Sequence, residues 1–587
     1  MAARRLSNVF IAVCVLFCFY VLSISLFGNV FRFMAVANAI AFVLFLLYFV
    51  TYSVDYTGKA KVDKRVIMAL AVMFVATVLS EEAFILGITL PYSQGFMLEG
   101  TFLYVLLLTI AVYLISAGQF AKKYNKKLYY VMLAAAIAIV LVMLASKITL
   151  KGIIPNDEVF LGYKAAGVLI SGKNPYTASF VQQLESNILS GNVSSSTATM
   201  ENTIDGKTSY PPLYILSFVP YYLMNNWVRG LSQYIILEIA AFTALLLLVI
   251  AWCIGLNRHG KLVYGFAIIF AFFVSHILST VLILLLAVLI IAYVKLDKWY
   301  AGIMLGIAAS MQQLSWVLVL FLMLWSFRES KKTGFRNLSY AMLTFMAINI
   351  YFIALGPYSY FGAVFFPVSG RLFPNSASQL GFLLAEYGIR ASSFSAIFYI
   401  SMAVSAMLFI YVDVKELAGL FAMLPFALLG FGQASYYLFF LAFAIAGLYA
   451  FKKRGARKPV PFRNALPYAM AIAVILVASL AYASHVSYEH NVGLHAFEYN
   501  TTVSGNHTVY NASFSTKGNV HTLYVFFVVY SGYTGVSSYG PASNFTTINV
   551  NNGSASMSVK IPEGNSAYTC VIYNANYLYI CPTARVG

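Results

Sequence analysis

Long runs of apolar residues recur through the first 484 residues, separated by short polar or basic segments. A helix that crosses the hydrocarbon core of a bilayer needs about 20 mostly apolar residues. Only 10% of the residues are charged, against about 25% in an average soluble domain. The pattern predicts an all-α polytopic membrane protein with about 15 transmembrane helices. The candidate spans lie near 8–27, 33–54, 66–90, 97–116, 128–150, 210–225, 231–256, 262–276, 278–295, 300–327, 338–356, 394–412, 416–432, 434–451 and 465–484.

Basic residues gather in the short segments between these runs. They cluster at 2–5, 59–65, 122–127, 328–336 and 452–463, and the formal net charge is +18. Lysine and arginine accumulate in the cytoplasmic loops of membrane proteins, so this charge indicates topology and not nucleic-acid binding. The N-terminus is therefore expected inside, with the first run acting as a signal anchor. The polar segments 151–209 and 357–393 and the C-terminus are expected outside.

One candidate span fits this topology less well. The run 210–225 is short and begins with Tyr210, Pro211 and Pro212. A full crossing there leaves the basic loop at 257–261 on the outer side. A re-entrant segment is the alternative, and the expected number of crossings is therefore about 13–16.

The composition changes near residue 485, where leucine-rich runs stop and Thr, Ser, Asn, Tyr and Gly dominate. Segments such as 523–530 and 557–561 mix β-branched and aromatic residues in the manner of strands. We expect a small all-β extracytoplasmic domain at 485–587, of the sandwich type. Because two cysteines lie close together in this outer segment, Cys570 and Cys581 are predicted to form a disulfide.

The chain thus divides into N-terminal transmembrane helices at 1–127, a transmembrane region at 128–484 and the β-domain. Asn-x-Ser/Thr triplets, the acceptor pattern for N-glycosylation, are concentrated in the segments placed outside. These are Asn192, Asn500, Asn506, Asn511, Asn544 and Asn552. Asn337 also matches the triplet, but it falls on the inner side and is expected to be unmodified.

The first large outer loop carries the strongest candidate for chemistry. Asp157 and Glu158 follow the end of a predicted span within a few residues, and carboxylates at that depth are costly unless they are solvated or functional. The simple interpretation is a solvated pair or an acidic cap on the next helix, an amphipathic stretch at 159–170. Gly172-Lys173-Asn174-Pro175-Tyr176 and then Tyr210-Pro211-Pro212-Leu213 follow in order.

This succession of motifs resembles the GT-C superfamily of membrane glycosyltransferases, and most closely the polyprenol-phosphate-mannose-dependent mannosyltransferases. The resemblance covers about 128–330. The Trp-Trp-Asp signature of oligosaccharyltransferases is missing from the sequence, which argues against that metal-using branch. Met311-Gln312-Gln313 stands where similar enzymes often have a basic residue before Gln.

The resemblance implies transfer of a hexose, mannose in the first instance, from a polyprenyl-phosphate carrier to an acceptor hydroxyl outside the membrane, with inversion. Asp157 is then the general base, with Glu158 beside it to position the base or to hold the acceptor. No metal or other cofactor is expected. The candidate substrate-binding residues are Tyr163, Lys164, Lys173, Asn174, Tyr176, Tyr210, Arg371 and Arg390, with the cations as phosphate partners.

The expected partners are the bilayer, the lipid-linked donor and a glycan or glycolipid acceptor. Five cysteines and no retention signal favour a plasma membrane of prokaryotic type, with the endoplasmic reticulum as the alternative. Two other functions are compatible with the same features. One is a transporter or flippase for lipid-linked sugars, and the other is a non-catalytic scaffold whose β-domain binds a partner.

Overall fold

The computed structural model describes residues 157–189, 193, 197, 199, 205–227, 280–369, 371–372 and 391–412, isolated positions between 418 and 487, and the strands and turns of 494–585. The spans predicted before 151 and at 231–256, 262–276 and 434–451 lie outside the described residues. So do Asn192, Asn506, Arg390 and Cys581.

The described part before residue 413 is mostly helical. Its helices are α1 (Asp157–Ile170), α2 (Val181–Leu189), α3 (Pro212–Trp227), α4 (Thr280–Val294), α5 (Trp299–Met311), α6 (Leu314–Glu329), α7 (Lys331–Leu355), α8 (Pro357–Val364) and α9 (Ala391–Val412). A short 3₁₀ turn, Phe366–Val368, follows α8. The segment 357–393, which was expected to be a loop, therefore contains a helix. Pro357 occupies its first position, where the fixed φ of proline suits a helix start.

The helix expected at 159–170 is confirmed, but it begins two residues earlier, at Asp157. It is not amphipathic, since its first two turns are buried on nearly every side. Gly162 lies so close to α3 that an added Cβ would stand 2.6 Å from the Tyr214 ring. The helix ends at Ile170. Two residues later Gly172 has a φ of +76°, and the Lys173 N–H donates to the Val168 carbonyl, which together form the usual glycine C-terminal motif.

The single span expected at 300–327 is wrong. Gln312 is extended, with φ −160° and ψ 144°, and separates α5 from α6. The Ser315 hydroxyl and the Trp316 indole donate to the carbonyls of Ala308 and Ala309, so side chains from α6 satisfy groups at the end of α5. Gly302 near the start of α5 lies against Asn337 of α7, and Ser310 near its end bonds to Asn349, so α5 runs parallel to α7. Because Ser326 near the end of α6 also bonds to Asn337, α6 runs antiparallel to α7. Helices α5 and α6 therefore form a helical hairpin.

Small residues allow α5 and α7 to approach closely. An added Cβ at Gly302 would lie 2.5 Å from the Asn337 carbonyl oxygen, and one at Gly306 would lie 2.6 Å from that of Ala341. This Gly-x-x-x-Gly spacing is frequent where membrane helices pack. Asn337 is fully buried and donates to the Leu296 carbonyl, which leaves no room for a glycan and agrees with the expectation that it is unmodified.

Helix α7 buries its asparagines and two of its small residues, whereas most of its largest apolar side chains are exposed. Its buried positions are Gly334, Asn337, Ala341, Asn349 and Phe352, whereas Leu343 and Met342 are 66% and 54% exposed. Among the described residues it is the one helix whose length and mean hydropathy of 1.8 allow it to cross a membrane. The total of about 15 spans stays a prediction.

The C-terminal region forms two antiparallel sheets, as the all-β expectation requires. Strands β1 (Leu494–Ser504), β2 (His507–Thr516) and β5 (Ser554–Pro562) form the first sheet, in that order. The second has the order β4-β3-β6-β7, with β8 beside β6. Its strands are β3 (Thr522–Ser531), β4 (Ala542–Asn549), β6 (Asn565–Tyr573), β7 (Tyr577–Ile580) and β8 (Ala584–Arg585).

Between β4 and β5 the chain turns at Asn552 and Gly553, both with positive φ, the pair that a tight hairpin turn favours. This places the Asn552 triplet on an exposed turn. The backbone of Cys570 lies in β6 opposite Ile580. Because Cys581 lies outside the described residues, the disulfide stays a prediction.

Candidate active site

A cavity of about 330 Å³ lies where the start of α1, the end of the first outer loop, the α5–α6 turn, the 3₁₀ turn and α9 meet. Asp157, Tyr210 and the 365–372 segment all line it. Asp157 therefore lies at a cavity to which the loop before Tyr210 and the segment after α8 both contribute. The polar lining residues are Asp157, Glu158, Thr197, Asp205, Lys207, Ser209, Tyr210, Gln312, Gln313 and Tyr399.

Asp157 is the first residue of α1, and only 5% of it is exposed. The Glu158 N–H donates to its Oδ1 at 2.9 Å, and the Thr197 hydroxyl donates to its Oδ2 at 2.7 Å. Burial raises the pKa of this carboxyl, while the hydrogen bonds from Thr197 and from the helix N-terminus oppose the increase. The result is a carboxylate that is fixed in position and partly desolvated.

Glu158 is 3% exposed and lines the same cavity. The Gln312 side-chain amide donates to its Oε1 at 3.4 Å, and the Tyr214 hydroxyl donates to its carbonyl at 2.9 Å. Gln312 comes from the interruption between α5 and α6. The break in the predicted span therefore brings an amide to the acidic pair.

Gln313 joins three segments around the cavity. Its side-chain nitrogen donates to the Ser209 carbonyl and, at 2.7 Å, to the Val364 carbonyl at the end of α8. One buried side chain thus links the loop at Ser209, the α5–α6 turn and the end of α8.

Asp205 and Lys207 are two cavity residues that sequence reasoning missed. Desolvation raises the pKa of Asp205 to about 7, an increase to which the Asp157 charge adds and which the Lys207 N–H and the Ser209 hydroxyl oppose. Lys207 is exposed at the cavity. Both residues lie directly before Tyr210-Pro211-Pro212, where the chain returns to the membrane surface at which Asp157 is expected. That position is the sequence signal that could have identified them.

An aromatic cluster fixes Tyr210 at the cavity. Its ring stacks on that of Tyr214, with centroids 4.3 Å apart and planes 27° from parallel. The Tyr176 hydroxyl donates to the Tyr210 carbonyl at 2.8 Å. The Tyr176 ring in turn packs edge-on against Tyr360 of α8 and Phe352 of α7.

Further contacts tie the first outer loop to the second. The Asn174 amide donates to the Ser359 hydroxyl at 3.2 Å, and its side-chain oxygen accepts from the Tyr176 N–H. Thr199 and Leu372 form an isolated antiparallel bridge. Asn174 and Tyr176, which were predicted to bind substrate, therefore hold the loops together and do not line the cavity.

Of the predicted contact residues, Tyr210 lines the cavity, whereas four more, which are Tyr163, Lys164, Lys173 and Arg371, lie away from the lining. Tyr163 is buried against the ring of Tyr222, and the Lys164 ammonium lies over the Phe160 ring at 5.4 Å. Lys173 is exposed on the turn after α1, and Arg371 is exposed beside the lining residue Leu372. Within the described lining, Lys207 is the cationic residue.

The cavity lining combines polar and apolar side chains that come from different segments. The carboxyl groups and Lys207 come from α1 and the first outer loop. Helices α6 and α9 contribute mainly apolar side chains: Leu314, Trp316, Val317, Leu320, Phe398 and Met402. Such a lining fits a ligand with a polar head and a hydrocarbon tail. Three carboxyl groups line the cavity, but within the described residues no group of three or more His, Cys, Asp or Glu side chains is arranged to hold a metal ion.

Comparison of the chain with protein-family profiles, with curated proteins and with solved structures finds no match.

Proposed function

We propose that the protein is a membrane glycosyltransferase that moves a hexose from a polyprenyl-phosphate carrier to an acceptor hydroxyl on the extracytoplasmic side. The observation that carries the proposal is the position of Asp157, buried at a cavity that is lined both by carboxyl groups and a lysine and by the apolar side chains of α6 and α9. A lipid-linked sugar has the matching polarity. The resemblance to the GT-C enzymes supplies the reaction class, with mannose as the first sugar to test.

The reaction assigns a distinct role to each polar group. The acceptor oxygen attacks the anomeric carbon while its proton passes to the Asp157 carboxylate. The bond between that carbon and the phosphate oxygen breaks, the polyprenyl phosphate leaves with the electron pair, and the anomeric configuration inverts. A raised pKa suits a base that must accept a proton near neutral pH. Lys207 neutralises charge on the leaving phosphate.

Glu158 has the supporting role. Its carboxylate is held by Gln312 and lines the cavity beside the base, a position suited to accepting hydrogen bonds from the acceptor sugar. Because it does not take the proton in this scheme, its loss is expected to cost less than that of Asp157.

The apolar side chains of the lining suit the polyprenyl chain. Leu320 on α6 and Met402 on α9 are among them, and both helices belong to segments predicted to cross the bilayer. The tail would reach the cavity from the hydrocarbon layer, and the acceptor would arrive from water. The exposed apolar side chains of α7 support the same membrane placement.

The hairpin of α5 and α6 also improves the proposed topology. We propose that α5 and α6, of 13 and 16 residues, each cross a locally thinned bilayer, because they are shorter than the usual span of about 20 residues. This adds one crossing between 299 and 329, so that the loop with Lys295 and Lys298 lies on the same side as 330–336. With α3 as a re-entrant helix and each remaining candidate span crossing once, the basic loop at 257–261 moves to the inner side. Every basic loop then obeys the positive-inside rule, and the total remains about 15 crossings.

The test is transfer by purified protein from polyprenyl-phosphate mannose to detergent extracts of cell glycolipids and glycans, followed by mass spectrometry. Asp157→Asn should lower the rate by about 10²–10⁴-fold, the usual effect of removing a general base, without changing expression. Glu158→Gln should be milder. The matched control is Asp297→Asn, an exposed carboxylate at the opposite end of the helix group.

The same assay separates the rival functions. A flippase moves the lipid-linked sugar across vesicles without forming a glycosidic product, and a scaffold does neither. Full transfer by the Asp157→Asn protein would refute the assignment of the base. No product with any hexose carrier, together with measurable translocation, would favour the transporter.

A further inference from the structure

The remote contact of Asp157 comes from Thr197, 40 positions later in the chain. The Thr197 hydroxyl donates to Oδ2 of Asp157 at 2.7 Å, and the residue lines the cavity. The Asp205 N–H donates to the Thr197 carbonyl at 2.7 Å. Thr197 therefore connects the base to the segment that carries Asp205 and Lys207.

We propose that Thr197 is a positioning residue that orients the Asp157 carboxylate and keeps it ionised for proton abstraction. The inference rests on the glycosyltransferase function proposed above. A hydroxyl donor reduces the rotation of a carboxyl group about its terminal bond, which has no steep torsional preference of its own. It also stabilises the charged form relative to the protonated form.

The charged and titratable groups that face Asp157 make this donor important. Glu158 lies on the same helix, Asp205, Lys207 and Tyr210 lie on the loop, and Tyr399 lies on α9. The α6 side chains that line the cavity are not titratable. Burial disfavours the charged form of Asp157, and the charges of Asp157 and Asp205 oppose each other. The Thr197 hydroxyl acts in the opposite direction.

The experiment compares Thr197→Val, which keeps the shape and removes the donor, with Thr197→Ser, which keeps the donor. The pH profile of kcat/KM for transfer is measured for both. Loss of one hydrogen bond to a carboxylate corresponds to about one pKa unit. Because the base must be ionised and loss of the donor raises its pKa, the acidic limb should move to higher pH by about one unit in Thr197→Val. It should return toward the wild-type position in Thr197→Ser.

The matched control is Thr208→Val. Thr208 is a second threonine of the first outer loop. It is buried, its hydroxyl donates to the Leu161 carbonyl, and it does not line the cavity. This variant should leave the acidic limb in place, even where stability changes. If the wild type transfers the sugar and Asp157→Asn is inactive, but the acidic limb of Thr197→Val is unshifted, the role of Thr197 is overturned and the proposed function stands. Absence of transfer by the wild type overturns the proposed function.

Discussion

Two segments of the first outer loop, 163–176 and 205–210, differ in what they present to the cavity. The first contains the Gly172-Lys173-Asn174-Pro175-Tyr176 run, one of the runs on which the resemblance to the mannosyltransferases rests, yet its tyrosines and Asn174 contact other protein groups. The second brings Asp205, Lys207 and Tyr210 to the cavity. A run that suggests substrate binding can thus act as the scaffold of a cavity, while Asp205 and Lys207 come from sequence that the resemblance does not single out.

The largest effect expected from this comparison separates two lysines of the loop. Lys207 lines the cavity and Lys173 does not. Removing a group that stabilises developing charge costs about 10²-fold in rate, so Lys207→Ala should reduce kcat/KM for the donor by about that factor. Lys173→Ala is the matched control and should stay within about twofold of wild type.

Steady-state kinetics with varied polyprenyl-phosphate mannose distinguish the two variants. Equal losses in both would show that the 205–210 segment does not hold the phosphate. A lower kcat/KM in Lys173→Ala alone would show that the 163–176 segment binds the phosphate, as the sequence first suggested.

A smaller effect is expected from the charge on Asp205. Its pKa of about 7 means that it is mostly protonated at pH 6 and mostly ionised at pH 8. An ionised Asp205 would repel the donor phosphate and offset Lys207, so the wild-type KM for the donor should rise a few-fold between these values. Asp205→Asn should remove this rise and match the wild-type value measured at pH 6.

KM for the donor at both pH values is the measurement, with Asp297→Asn as the control that keeps the wild-type dependence. A KM that rises equally in the Asp205→Asn protein would assign the titration to another group and leave Asp205 outside the donor site.

The sequence predicts the position of Asp157 because the loop leaves one predicted span just before it and enters the next apolar run just after Tyr210. Both ends are thereby held near one surface, whatever path the residues between them take. The β-rich C-terminal region is also predictable, since alternating β-branched and aromatic residues favour strands. These features depend on local pattern alone.

The interruption at Gln312 could not be predicted from that pattern. The run 300–327 is apolar enough for one span, and two glutamines are tolerated within it. What ends α5 is a set of tertiary contacts, in which Gln312 binds Glu158 and Gln313 binds Ser209 and Val364. Lys207 was missed for the same reason, because its approach to the cavity depends on how distant parts of the chain fold together.

The smallest effect tests whether the 163–176 segment is scaffold. Tyr176→Phe removes the hydroxyl that donates to the Tyr210 carbonyl and keeps the ring that packs on Tyr360 and Phe352. One such hydrogen bond contributes about 1 kcal/mol to the free energy of unfolding, which in a chain of this size lowers Tm by only about 1–2 °C. Thermal unfolding in detergent should detect that change, with Tyr358→Phe, which alters a 94% exposed side chain, as the unshifted control.

Because the Tyr176 hydroxyl does not line the cavity, kcat and KM should stay within about twofold of wild type. A loss of transfer of 10²-fold with an unchanged Tm would mean that this tyrosine touches substrate, and the distinction between the two segments would then fail.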